Sequence, residues 1–219
     1  MERIVCLLIG YAFGLFQTSY IIGKINGIDI REKGSGNAGT TNTLRVLGKK
    51  AGLIVMLTDI CKTALAVLVV WIIYHNTHAE EMLLLKLYTG LGAVLGHNFP
   101  FYMHFKGGKG IAAMGGMILT FDWPFIPFGL LLFFGTVAIT HYVSFASLLL
   151  SAGFYVMLLV MGIFKIGRFA MIPGPILTEM YVVAFVIVAM AFIRHSENIK
   201  KLLRGEERKT YINKKNDPR

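Results

Sequence analysis

The stretch Gly52–Tyr74, GLIVMLTDICKTALAVLVVWIIY, decides the fold. About 20 apolar residues are enough for a helix to cross a hydrocarbon core about 30 Å thick. A helix satisfies every backbone N–H and C=O inside its own segment, which a bilayer demands. Only Asp59 and Lys62 interrupt the run with ionisable groups. An unpaired charge at mid-membrane costs on the order of 2.5–3.5 kcal/mol on insertion scales, so such groups pair or line a polar cavity. The i, i+3 spacing of Asp59 and Lys62 lets them pair on one helix face. A structural role is expected for both, with a site-facing role for Lys62 as the alternative.

Working outward, comparable runs cover approximately 3–23, 82–103, 109–121, 124–141, 145–164 and 176–193, about seven in all. The run 109–121 is short for a span. It forms either a half-length tilted helix or a re-entrant hairpin with the next run. The chain has 219 residues, 55% of them hydrophobic and 16% charged, with a formal net charge of +10. That balance favours a membrane protein with basic loops facing anionic lipid or phosphorylated substrates, and argues against a nucleic-acid partner. Cys6 and Cys61 sit inside apolar runs and read as small core residues. The expectation is a single all-α domain over 1–219, a polytopic membrane helix bundle of about seven transmembrane helices. Lys24, Arg31, Lys33, Arg45, Lys49, Lys50, Lys62, Lys106, Lys109 and the basic residues from Arg194 to Arg219 fall on one side, against Arg3, Lys86, Lys165 and Arg168 on the other. The positive-inside rule then sets the N-terminus outside and the C-terminus in the cytoplasm.

Upstream of the deciding stretch lies a polar, glycine-rich segment, Arg31–Gly52, REKGSGNAGTTNTLRVLGKKAG. Gly34, Gly36 and Gly39 allow φ > 0 and close approach, so successive N–H groups can converge into an anion nest. Ser35, Asn37, Thr40 and Asn42 add side-chain donors, and Arg45 presents a fork suited to phosphate. A second element follows His97, running Phe105-Lys106-Gly107-Gly108-Lys109-Gly110 into an apolar helix. Two ammonium groups, glycine amides and a helix N-terminus again suit an anion. The spacing is not that of a Walker A loop, so ATP is not implied. The third element is Arg194-His195-Ser196-Glu197-Asn198, in which His195 and Asn198 share a helix face. Ser144 is a lone serine between two runs. All these loops fall on the cytoplasmic side. The histidines and carboxylates lack metal-ligand spacing, so neither a metal nor a cofactor is expected.

GSGNAGTTNTLRVLGKKAG, DICKTA, GHNFPFYMHFKGGKGIA, HYVSFAS and RHSENIKKLLRGEE, taken in order and spacing, resemble the bacterial acyl-phosphate:glycerol-3-phosphate acyltransferases of the PlsY type. The resemblance covers nearly the whole chain. It implies a seven-span enzyme of the bacterial plasma membrane that makes 1-acyl-glycerol 3-phosphate from acyl phosphate and glycerol 3-phosphate. On the matching positions it implies functional Ser35, Arg45, Lys106 or Lys109, Ser144, His195 and Asn198, with Glu207 holding the tail. Gly34, Gly36, Asn37, Asn42, His97, Gly107, Gly108 and Gly110 complete the expected substrate-binding set. The chain departs from the family pattern at Thr40, at His141 and after Lys62. A soluble enzyme that supplies acyl phosphate is an expected partner, beside the bilayer itself. The H-x-x-x-x-D pairing of the other large glycerol acyltransferase family is absent after every one of the six histidines.

Two anion cradles on one face suit two phosphate-bearing substrates. Acyl phosphate is already activated, so holding both phosphates and placing a hydroxyl near the carbonyl supplies much of the catalysis. Proximity is worth about 7–11 kcal/mol of barrier. Donors aimed at a developing oxyanion are worth about 2.7–4 kcal/mol each. The acyl chain would lie in a groove between helices. The alternative reading is a membrane transporter or exchanger of phosphorylated solutes, which also wants glycine-rich anion sites. Against it, the polar motifs share one side and show no inverted-repeat pairing around the midplane.

Overall fold

Where the first apolar run was expected to be one helix, the chain breaks at residues 15–17 into α1 (Glu2–Gly14) and α2 (Thr18–Ile25). The computed structural model describes residues 1–211; Lys214, Lys215 and Arg219, assigned above to the cytoplasmic tail, lie outside the described residues. The break is built from polar groups. Gln17 Nε2 donates to the carbonyls of Gly14, Gly96 and His97 at 3.3, 3.3 and 3.0 Å. Lys62 Nζ donates to the Phe16 carbonyl at 2.7 Å. The Gly14 and Phe16 carbonyls are groups that a continuous helix would have paired internally, and those of Gly96 and His97 lie at the end of α5.

The remaining elements are α3 (Thr40–Leu47), α4 (Lys49–Tyr74), α5 (Met82–Asn98), α6 (Ile111–Phe121), α7 (Phe125–Thr140), α8 (Val143–Ile163), α9 (Gly174–Arg194) and α10 (Ser196–Leu203). Among the described residues the regular structure is entirely helical. Four segments are long and apolar enough to cross a bilayer: Glu2–Ile25, Lys49–Tyr74, Val143–Ile163 and Gly174–Arg194. Helices α6 and α7 are apolar but shorter.

Helix α5 is the buried centre, packed on by α1, α4, α6 and α9. Its contact with α1 is made by two pairs of glycines four residues apart, Gly10 and Gly14 against Gly92 and Gly96. A Cβ at Gly10 would overlap the Thr89 carbonyl oxygen, and one at Gly92 would overlap that of Leu7. Each helix therefore rests backbone on backbone in the small-xxx-small manner of membrane helices. Helix α6, with 11 residues, is half-length: at 1.5 Å per residue it rises only about 16 Å. Lys86 of α5 explains its early end. Its ammonium donates to the Thr120 and Phe121 carbonyls at 2.6 and 3.0 Å, capping the last turn. Beyond that cap Phe121, Phe125 and Phe154 interlock with ring centroids 5.0–5.5 Å apart.

Charge is handled at three levels. At one end of the bundle Arg3 pairs with Glu179 at 2.6 Å and Glu81 at 3.3 Å, and Tyr88 donates to Glu179 at 2.8 Å. Inside, the two ionisable groups of the deciding stretch meet each other, Lys62 Nζ standing 2.8 Å from Asp59 Oδ1. Lys62 also donates to His97 Nδ1 at 2.9 Å. This buried group ties α4, α5 and the α1–α2 break together. The polar loops gather at the end opposite Arg3.

Candidate active site

The first loop, residues 31–39, is shaped from within. Gly34 and Gly36 take φ of 62° and 73°, the left-handed region open to glycine. Asn42, buried in α3, uses its carboxamide on the loop: Oδ1 accepts from Ser35 N at 2.8 Å, and Nδ2 donates to the Ile30 and Lys33 carbonyls at 3.0 Å each. A Cβ at Gly34 would overlap Asn42 Oδ1. The loop then enters α3 at Thr40 with no side-chain cap. Its first-turn N–H groups have no partner within the helix.

The second loop, residues 99–110, is fastened on both sides. The amides of Gly107 and Gly108 donate to the carbonyls of Asn98 and His97 at 3.1 Å each. They cap α5 and are not spare donors for an anion. The carbonyls of Gly107 and Gly108 accept from Arg194 Nη2 at 3.1 and 2.9 Å. Gly108 also lies on the first loop, since a Cβ there would stand 2.7 Å from the Ala38 carbonyl oxygen. Arg31 Nη1 donates to the Met103 carbonyl at 3.3 Å, a further bond between the two loops.

At the break between α9 and α10, His195 is buried, and its Nδ1 lies 2.7 Å from the Ala191 carbonyl. A carbonyl only accepts, so Nδ1 carries the proton and Nε2 keeps its lone pair. Burial, and next the Lys109 charge, push the imidazole down to about 4. Lys109 donates to Asn198 Oδ1. Asn198 Nδ2 in turn donates to Glu207 Oε1 at 2.8 Å, and Ser144 Oγ donates to the same oxygen at 2.9 Å. Burial lowers the Lys109 ammonium to about 8, against the pull of the Glu207 carboxylate and with help from Arg194, Lys201 and Arg45. Around Lys109 the cations outnumber that one carboxylate, which suits an added anion. The tail closes the ring: Thr210 N donates to the His141 carbonyl at 2.8 Å, and Arg45 Nη2 lies 3.4 Å from Thr210 Oγ1.

One cavity of about 1140 Å³ gathers these groups. Of the residues expected from sequence, Ser35, Gly36, Asn37, Asn42, Arg45, His97, Lys106, Gly107, Lys109, Gly110, Ser144, His195, Asn198, Asp59 and Glu207 line it. Gly34, Gly108 and Lys62 lie behind that lining. Lys106 is exposed, whereas Lys109 is half-buried inside the network. Sequence reasoning missed Arg194, Gln17 and Thr210 as organisers. Gln17 had a signal, a polar side chain inside an apolar run; Thr210 had none. From its polar mouth the cavity continues as an apolar groove between α4, α6, α7 and α8, past Ile60, Gly115, Ile118 and Phe133. Leu130 and Phe134 line it and are also 46% and 47% exposed, so one flank is open to the outside of the bundle.

Residues 4–205 match the family model described as Glycerol-3-phosphate acyltransferase. The chain belongs to that family. A glycerol-3-phosphate acyltransferase of Macrococcus caseolyticus is 35% identical over 98% of this chain and 100% of its own length. Another, from Lactiplantibacillus plantarum, is 36% identical over 94% and 91%. Among solved structures, PlsY, an integral membrane glycerol 3-phosphate acyltransferase, is similar in its glycerol 3-phosphate form with a TM-score of 0.80, 32% identity and 96% coverage of both chains. Its lysophosphatidic acid form gives 0.78 and 31% over the same shares. The family's architecture makes this chain a multi-pass integral membrane protein.

Proposed function

We propose that the protein transfers an acyl group from acyl phosphate to a glycerol 3-phosphate hydroxyl, giving 1-acyl-glycerol 3-phosphate and inorganic phosphate. It is a glycerol-3-phosphate acyltransferase by family, and the transporter alternative is not favoured. One observation carries the reading: a single cavity joins a cationic polar mouth to an apolar groove. That union suits one small phosphorylated acceptor and one phosphorylated donor with an alkyl tail.

The chemistry needs no covalent enzyme intermediate. The glycerol hydroxyl oxygen attacks the acyl carbon, a tetrahedral oxyanion forms, and its collapse breaks the bond to the phosphate oxygen. Arg45 and Lys109 hold the two phosphates and screen their repulsion, while Ser35 and the start of α3 supply donors beside them. His195, neutral with a free Nε2 lone pair, accepts the hydroxyl hydrogen bond and fixes the nucleophile. A phosphate monoester titrates near pH 6, above the His195 imidazole at about 4. The departing phosphate is therefore the better proton acceptor, and the reaction is substrate-assisted. Glu207 orients Ser144 and Asn198 through its shared oxygen. Purified protein should release phosphate only when acyl phosphate and glycerol 3-phosphate are both present. Release without the acceptor, or turnover with thioester donors instead, would overturn the donor assignment.

The same reading covers topology. The α1–α2 pair, α4, α5, α7, α8 and α9 cross a bacterial plasma membrane, with the half-length α6 and its capped end as the seventh pass, the N-terminus outside and the site facing the cytoplasm. The distribution of Lys and Arg supports this orientation. Residues 1–219 act as one domain. A soluble enzyme making acyl phosphate supplies the donor at that cytoplasmic face.

A further inference from the structure

The apolar groove ends at two side chains that belong to two cavities at once. Leu119 on α6 and Ile126 on α7 line the main cavity and also a second one of about 220 Å³. The other walls of the small cavity include Lys86, Asp122, Trp123 and Arg168. In front of the pair the walls are hydrocarbon; behind it are a fixed ammonium and a buried carboxylate. Lys86 cannot swing away without uncapping the last turn of α6. Asp122 is buried, with Arg168 Nε at 3.7 Å. An alkyl chain pushed past Leu119 and Ile126 would strip solvent from charged groups and return nothing to them.

One helical turn nearer the mouth, about 6 Å above Leu119, α6 carries Gly115. It lines the groove, and a Cβ there would meet nothing nearer than Ile60 Cγ1 at 3.8 Å. The groove is wide at that level because the position has no side chain. By contrast, a Cβ at Gly116, the next residue, would overlap the Ile60 carbonyl oxygen. Gly116 serves helix packing, whereas Gly115 serves the bore.

We propose that Leu119 and Ile126 are the floor that measures the acyl chain, and that Gly115 sets the bore one turn above it. The inference rests on the acyl phosphate reading given above. A chain that reaches the floor fills the groove. A shorter one stops above the floor and forgoes the dispersion contacts there. A longer one has to turn out through the open flank beside Leu130 and Phe134, where it gains no further contact. The donor preference is thus set by the distance from the cationic mouth to the floor, about 16 Å along α7 from Val137 to Ile126.

The test is a competition among octanoyl, myristoyl, palmitoyl and stearoyl phosphates at equal mole fractions in mixed micelles, with products resolved by mass. Gly115→Leu should move the ratio of palmitoyl to octanoyl product at least about tenfold toward the short donor, since one methylene too many in an apolar pocket costs about 10–200-fold. Ile126→Ala should move the ratio the opposite way by several-fold. Continued use of the short donor is the folding control for Gly115→Leu. Unchanged ratios in two active variants would overturn the inference. So would loss of every product in both variants, because a ruler spares donors that do not reach it. If only Gly115→Leu is inert, the Ile126→Ala ratio decides. Wild-type protein that makes no product from any acyl phosphate would strike the donor reading itself.

Discussion

At the scale of single residues, the protonation of His195 and Lys109 separates two accounts of the reaction. If His195 only positions the hydroxyl, His195→Gln keeps a donor and an acceptor and should retain a percent or more of wild-type turnover, with the shape of the pH–rate profile intact. If it were the base, loss of the usual ~10²–10⁴-fold help would lower the rate about 10³-fold and remove the acid limb. Lys109 governs the other end of the scale. Its ammonium is held near 8 in the free enzyme, so it is charged below that pH and neutral above it. Measured as kcat/KM, which reports the free enzyme, activity should fall above about pH 8. Lys109→Arg, whose charge persists past pH 12, should carry the plateau higher. Sequence alone named both residues, because polar motifs stand out against apolar runs. It gave no choice between Lys106 and Lys109, since that depends on which ammonium the folded loop turns inward. Nor could it foresee that the Gly107 and Gly108 amides cap α5, a contact made only when two distant segments meet.

At the scale of elements, the α1–α5 contact is the one with least slack. Gly92→Ala puts a methyl group into the Leu7 carbonyl oxygen and should separate the helices, lowering the thermal midpoint in detergent by several degrees. Gly135→Ala is the matched control, because a Cβ at Gly135 has nothing within 4 Å. Its midpoint should stay level or rise slightly, alanine being the better helix former. A drop of equal size in both would show that close approach is not what makes Gly92 sensitive. The apolar runs were legible because hydrophobic length is a one-dimensional signal. The break at residues 15–17 was not, nor was the cause of the short α6, whose length the run 109–121 did show; each rests on a polar side chain that meets a distant helix. Gln17 reaches the end of α5, and Lys86 of α5 caps α6. Hydropathy sees those residues as blemishes on a span, whereas in the fold they end or bend one.

At the scale of the whole molecule, orientation is directly measurable. In a Cys61→Ser background, an impermeant thiol reagent added to intact cells should label Glu80→Cys and spare Lys33→Cys, both positions being exposed. The opposite pattern would turn the enzyme over in the membrane. Another consequence follows from the flank left open beside Leu130 and Phe134. Lipid tails are as apolar as the groove, so moving an alkyl chain from bilayer to protein gains little hydrophobic energy. The groove therefore supplies alignment more than driving force, and the donor comes to it sideways, within two dimensions. What the enzyme senses is crowding in the leaflet, not molarity in the cytosol. Adding inert lipid at constant total donor should slow it, as surface dilution slows any catalyst whose substrate arrives in the plane of the membrane, while the dependence on glycerol 3-phosphate stays that of an ordinary solute.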